Sequence, residues 1–248
     1  MALVISGRGP LLLVANNGVL TMSGILYAIG VGPGDPELLT LKAVRIIKES
    51  DVIVIPQKKE ECRAYGIAVK AVPEIKDKEI IDTAFPMTND QRSRDDLHRD
   101  IFEKIKEQTE KGRNVAFLTI GDPAVYSTFS YINDLAKKDG IVTEMISGVT
   151  SASACAGSLN IDLCIADEPL HIFPGADNIE EALKLGGTKV IMKGGKDISK
   201  IKQILEKDHS DAKVFAVSHC GCDNETRFYS LEELSDDAGY LTTVMIKD

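Results

Sequence analysis

Two glycine-rich segments constrain the fold of this chain more than any other feature: Gly30-Val31-Gly32-Pro33-Gly34-Asp35-Pro36 and Thr119-Ile120-Gly121-Asp122-Pro123. Each follows an apolar run (25–31 and 114–119) and precedes a helix-like pattern, so each reads as a strand–turn–helix joint. Glycine has no Cβ and tolerates unusual dihedrals, which lets the main chain of such a joint approach a ligand closely. Two joints in one chain of 248 residues predict two α/β lobes facing a shared cleft.

The first joint departs from the dinucleotide-binding fingerprint, which needs glycines at relative positions one, three and six and a helix N-terminus open to pyrophosphate. Here the glycines stand at 30, 32 and 34, Pro33 stiffens the turn, and the Asp35 carboxylate would repel a phosphate. No Gly-Lys-Ser/Thr follows, so a P-loop is also disfavoured. Asp35 itself carries two readings. Asp-Pro-Glu ahead of Leu38, Leu39 and Leu41 is a helix start, with Asp35 as N-cap and Pro36 at the first helical position. A catalytic role for the same carboxylate stays open.

A βα rhythm runs from residue 25 onward. Strands are expected at 25–31, 51–55, 80–84, 114–119, 141–146, 188–192, 213–218 and 241–246. Helices are expected at 37–49, 64–71, 91–111, 125–138, 150–158, 178–185 and 197–207. Segments 226–229 and 240–246 read as antiparallel partners, and the lobe boundary is placed near 115. The first lobe is then 22–115 and the second 116–248. Residues 1–21 hold two apolar runs around Asn16-Asn17-Gly18, which reads as a hairpin turn rather than a signal peptide. They are expected to be an extension outside the functional domain.

The net charge of −9 advertises no nucleic-acid-binding surface. No run approaches the length of a membrane span. Five cysteines without a regular framework fit a reducing cytoplasm better than a disulfide scaffold. Ser218-His219-Cys220-Gly221-Cys222-Asp223 lacks the second ligand pair of a structural zinc site, so its thiols read as buried or incidental and no metal is assigned.

Downstream of the second joint, Ser147-Gly148-Val149-Thr150-Ser151 is another small-residue turn opening a helix. The order of these pieces resembles the tetrapyrrole (corrin and porphyrin) methylase family. Gly30–Ala43 is similar to that family's opening signature. The Gly121-Asp122-Pro123 loop and the Gly148–Ser151 turn are similar to its two S-adenosylmethionine loops, and Met192 stands where a cofactor-packing Met is usual. The resemblance covers residues 24–248. Phe85-Pro86-Met87-Thr88 and the stretch from Gly121 to Tyr131 look like the branch that methylates carbon 20 of precorrin-2 or cobalt-factor II. One departure is Ser147, where Pro commonly precedes the glycine, and a looser turn is expected there.

The resemblance implies a two-lobed α/β fold of the tetrapyrrole-methylase type, each lobe a mixed sheet flanked by helices, with the active cleft between the lobes. It implies S-adenosylmethionine as methyl donor, held by Gly121, Asp122, Val125, Tyr126, Thr150, Ser151 and Met192. A corrinoid substrate would meet Gly32, Pro33 and Gly34, with Asp35 as the catalytic candidate. Asp122 would sit near the cationic donor or serve the main-chain turn. The substrate's carboxylates call for local cations, and Arg92 and Arg94 are the chosen contacts among Lys58, Lys59, Arg63, His98 and Arg99. Asp95, Asp96 and Asp100 on the same helix make a mixed solvated face the competing reading. A homodimer in the cytoplasm, without nucleic-acid or membrane partners, is the family expectation. Relatives of other position specificity, diphthine- or ribosomal-RNA-type methylases, and a non-catalytic S-adenosylmethionine sensor stay as alternatives.

Overall fold

The computed structural model describes residues 2–6, 9–16, 19–82, 91–208 and 211–247, with side chains from residue 23 onward except 91–94 and 208. The chain divides into two units, Met1–Gly32 with Pro36–Val149 and Pro33–Asp35 with Thr150–Asp248. The expected boundary near 115 therefore moves to 149/150. Strand pairing is the reason: Val115–Thr119 and Thr143–Ile146 both pair with Leu26–Gly30 in one sheet.

The first unit begins with a three-stranded antiparallel sheet, β1 (Ala2–Ser6), β2 (Gly9–Asn16) and β3 (Val19–Ser23). Asn16 stands opposite Val19, the pairing that a hairpin through Asn-Gly requires; the two residues between them lie outside the described residues. Its main sheet holds β4 (Leu26–Gly30), β5 (Val52–Ile55), β6 (Glu79–Asp82), β7 (Val115–Thr119) and β8 (Thr143–Ile146) in the order β6-β5-β7-β4-β8. Every pairing in it is parallel. This sheet is thus uniform, and the mixed sheet belongs to the second unit.

Side chains alternate across the parallel sheet and sort the helices onto its two faces. Ile25, Tyr27, Ile29, Ile53, Ile55 and Leu118 pack with α1 (Leu41–Glu49) and α2 (Arg63–Ala71). Leu26, Ala28, Val52, Val54 and Phe117 pack with α3 (Gln91–Glu110) and α4 (Phe129–Lys138). The crossovers through α1 and α2 step one way along the sheet and those through α3 and α4 step back, as a constant handedness demands of helices on opposite faces.

Two helix starts differ from the sequence reading. Residues 36–38 form a 3₁₀ turn, and α1 begins only at Leu41, capped by the Thr40 hydroxyl, which accepts from the Ala43 N–H at 3.1 Å. Asp35 is therefore not the cap of that helix. α4 starts at Phe129 rather than 125, because Tyr126 has a φ of +48°, which no right-handed helix accommodates.

The second unit carries a mixed sheet in the order β12-β11-β13-β10-β9. Its strands are β9 (Leu170–Phe173), β10 (Thr188–Ile191), β11 (Lys213–Ser218), β12 (Thr226–Phe228) and β13 (Thr242–Lys247). The helix α5 (Ser151–Leu159) covers one face with Ala152, Cys155 and Leu159. The other face takes α6 (Ile179–Leu183) and α7 (Ile198–Asp208). The expected pairing of 226–229 with 240–246 does not form. β13 inserts between β10 and β11, where its first five residues are buried, and β12 pairs with β11 as an edge. β9 escapes the sequence pattern because it is a four-residue edge strand of mixed exposure, defined only by its parallel pairing with β10.

Among the described residues no helix is long and apolar enough to cross a membrane. Phe117 is fully buried in β7 and its ring lies 5.5 Å from that of Phe129. Phe117→Ala is expected to cost about 3–5 kcal/mol, read as a lower urea midpoint at unchanged m-value.

Candidate active site at the carboxyl ends of the parallel strands

β4 and β7 are neighbours whose following helices lie on opposite faces, α1 on one and α4 on the other. This is the point where strand order reverses, and open α/β sheets bind ligands at the carboxyl edge beside such a point. The two glycine-rich segments emerge there side by side.

Main chain packs directly on main chain at this edge. Gly121 N–H donates to the Gly32 carbonyl at 2.8 Å and Gly32 N–H to the Gly121 carbonyl at 3.3 Å, with φ of +73° and +75°. A Cβ at Gly30 would stand 2.6 Å from both the Gly121 oxygen and the Gly148 nitrogen. A Cβ at Gly148 would overlap the Gly121 carbonyl and meet the Gly30 backbone at 2.8 Å. The loops after β4, β7 and β8 can thus stack only because glycine stands at these contacts.

Asp122 clamps the stack. Its Oδ1 accepts from the Ala124 N–H at 2.7 Å, closing its own turn, and its Oδ2 accepts from the Gly148 N–H at 3.0 Å. Both carboxylate oxygens are engaged by main chain, so Asp122 serves the turn. Thr40 adds a second tie, its hydroxyl donating to the Ser147 carbonyl at 3.3 Å. Ser147 in place of Pro therefore leaves a fastened turn. Neither tie is visible in sequence, because the partners stand 26 and 107 positions apart.

Beyond the clamp, Val125 N–H donates to the Asp122 carbonyl at 3.2 Å, and Tyr126 is half exposed. Ser127 Oγ accepts from Phe129 N–H at 3.2 Å and lies 3.1 Å from the Thr119 hydroxyl, fixing the entry to α4. Gly121 is buried, yet a Cβ built there would meet nothing within 4 Å. Its α-carbon therefore borders open space.

In the second unit, Thr150 is the N-cap of α5 and accepts from Ser153 N–H at 3.3 Å. The Ser151 hydroxyl beside it is buried with no hydrogen-bond partner. Met192 is half-buried just after β10, its N–H donating to the Phe173 carbonyl at 2.8 Å. Pro33, Gly34 and Asp35 group with this unit, whereas Gly32 stays with the first.

The expected substrate cations fare unevenly. The side chains of Arg92 and Arg94, and residues 85–88, lie outside the described residues. His98 is buried and stacks on Tyr131 with ring centroids 4.6 Å apart, so it belongs to the α3–α4 packing rather than to a substrate face. Arg99 pairs with Asp96 at 3.6 Å on a solvated face, and Lys59 lies over the Tyr65 ring at 5.3 Å.

Asp122→Ala removes two charge-assisted bonds and is expected to destabilise the fold by about 2 kcal/mol. Asp122→Asn, which keeps one acceptor oxygen, should recover part of that. Urea denaturation of the three proteins checks the order.

The model of the Tetrapyrrole (Corrin/Porphyrin) Methylases matches residues 25–235. A probable cobalt-precorrin-2 C(20)-methyltransferase of Methanocaldococcus jannaschii is 37% identical over 185 residues, covering 74% of this chain and 78% of its own. The precorrin-2 C(20)-methyltransferase of a Sinorhizobium species is 27% identical, covering 91% of this chain and 97% of its own. The fold is similar to that of a cobalt precorrin-4 methyltransferase, with a TM-score of 0.73, 21% identity and coverage of 90% and 94%. It is also similar to that of the Thermus thermophilus uroporphyrin-III C-methyltransferase solved with S-adenosyl homocysteine, with a TM-score of 0.65, 20% identity and coverage of 91% and 98%. With its signature turn, clamped glycine loops and near full-length match, the chain belongs to the tetrapyrrole (corrin/porphyrin) methylases.

Proposed function

We propose that this chain transfers the methyl group of S-adenosylmethionine to carbon 20 of precorrin-2, with the cobalt-loaded form as the preferred substrate, in cobalamin biosynthesis. The observation that carries the reading is the Asp122-clamped glycine stack at the point of strand-order reversal, with an open face at Gly121. The names of the relatives at 37% and 27% identity support the position on the macrocycle. The higher-identity relative supports cobalt.

The residues present suit the methyl donor. Gly121 offers main chain beside open space, and the Ser151 hydroxyl is a buried polar group with an unused hydrogen-bonding capacity. In the first unit we assign Gly121, Asp122, Val125 and Tyr126 to S-adenosylmethionine, Asp122 acting by holding the loop in place. In the second unit Thr150, Ser151 and Met192 carry the same assignment. Gly32, Pro33 and Gly34 are assigned to the macrocycle together with Arg92 and Arg94, and Asp35 keeps the catalytic assignment.

S-adenosylmethionine supplies a methyl group already activated on a sulfonium. The chain's task is then to orient donor and acceptor and to keep water out. Holding two reactants in line is worth up to about 7–11 kcal/mol of barrier, enough for positioning to dominate. The clamped loops suit this task, since their geometry is set by backbone contacts before any ligand arrives. A homodimer in a reducing cytoplasm completes the proposal, and light scattering on the purified protein tests the dimer.

The decisive experiment is anaerobic incubation with S-adenosylmethionine and either precorrin-2 or its cobalt complex. One methyl added by mass, with the cobalt form turned over faster and NMR placing the methyl on carbon 20, is the expected result. Cofactor binding without methyl transfer to either compound would instead favour a sensor or a relative of other specificity. Asp35→Asn is expected to lower kcat roughly tenfold or more at unchanged affinity for S-adenosylmethionine. An unchanged kcat removes the catalytic assignment.

A further inference from the structure

Methyl transfer leaves one sequence motif without a role, Ser218-His219-Cys220-Gly221-Cys222-Asp223. Its backbone turns left-handed twice, at His219 with a φ of +54° and at Gly221 with +75°. A non-glycine residue stays in the left-handed region only where its surroundings over-determine it. Here His219 N–H donates to the Leu241 carbonyl at 3.3 Å, and Cys222 N–H to the His219 carbonyl at 2.9 Å. The Ser218 hydroxyl lies 2.8 Å from His219 Nδ1 and donates to the Ala238 carbonyl.

The segment faces the signature turn, which belongs to the same unit. A Cβ at Gly34 would overlap the Cys220 carbonyl and stand 2.8 Å from Cys222 Sγ. A Cβ at Gly221 would overlap the Asp35 nitrogen and stand 3.1 Å from Asp35 Cβ. The two glycines permit each other's approach.

Glu225 fastens this contact from behind. Its Oε2 accepts from Gly221 N–H at 2.6 Å, while Oε1 accepts from the Ser158 hydroxyl at 2.5 Å and Arg227 Nε at 2.8 Å. Ser158 lies on α5, the helix that Thr150 caps and Ser151 begins. Burial raises the Glu225 carboxyl, but the Gly221 N–H, the Ser158 hydroxyl and Arg227 outweigh it and hold the group below the usual carboxylate range. The Cys220 thiol is pushed far up, by its hydrogen bond with Cys155 and then by burial, and packs as a neutral group.

We infer that Glu225 is a positioning residue for the tetrapyrrole: through Gly221 it sets the place of Pro33-Gly34-Asp35, and through Ser158 it ties that turn to α5. The substrate half of this inference rests on the proposed methyl transfer; the placement of the turn does not.

Glu225→Gln and Ser158→Ala test it with two readouts. Hydrogen–deuterium exchange of the ligand-free protein should show the Gly34 and Asp35 amides exchanging roughly tenfold faster in Glu225→Gln, and less so in Ser158→Ala. In turnover, Glu225→Gln should raise KM for cobalt-precorrin-2 by roughly tenfold while Kd for S-adenosylmethionine stays within about twofold. A purely structural role would lower the melting temperature at unchanged KM. Unchanged exchange at Gly34 and Asp35 in both variants overturns the positioning role whatever the kinetics. Faster exchange with unchanged tetrapyrrole KM overturns its link to substrate. A wild-type protein that methylates no tetrapyrrole sinks the functional reading instead, and the exchange data still decide the placement.

Discussion

The contact between main chains at Gly30, Gly121 and Gly148 is what the rest of the first unit depends on. Three parallel strands end there, and their loops approach so closely that a single Cβ would separate them. Such proximity has little attraction of its own, so it needs a lock, and Asp122 supplies one by accepting from two backbone N–H groups on different loops. A carboxylate suits the task better than a neutral side chain because charge-assisted bonds are shorter and stronger. The outcome is a preorganised edge with open space beside Gly121, set where α1 and α4 diverge to opposite faces.

The second unit uses the same device with different residues. Gly34 and Gly221 bring two turns into contact, and Glu225 plays the part of Asp122, one carboxylate bonded to a loop N–H and to neighbouring elements. In both places glycine provides the approach and an acid provides the fastening. Catalysis by orientation requires this kind of rigidity, since small misplacements of a reacting group are expensive in rate.

Much of this was legible in the residues. The buried strands 52–55, 115–119, 188–191, 213–218 and 242–247 announce themselves as apolar runs, and α3 as a long amphipathic pattern closed by Lys111-Gly112. The errors have physical causes. Asp35-Pro36-Glu37 carries every local mark of a helix start, yet a 3₁₀ turn intervenes and Thr40 takes the cap, placed by its bond to Ser147. The residues after Gly121 look helical until Tyr126 turns left-handed. β12 lost its expected partner because β13 is drawn between β10 and β11, where its apolar residues bury on both sides.

By itself the sequence determined the α/β class, most of the buried strands and the family, because period, burial pattern and glycine spacing are local properties that survive without knowledge of contacts. It also marked Gly121, Asp122 and Thr150 as residues of interest. Tertiary structure alone decided how the chain is held together: which loop Asp122 fastens, why residues 116–149 stay with the first sheet, and that Glu225 bonds the loop packed on Gly34. Those outcomes are pairings between groups tens of residues apart, and no local preference encodes a partner that only folding brings within hydrogen-bond distance.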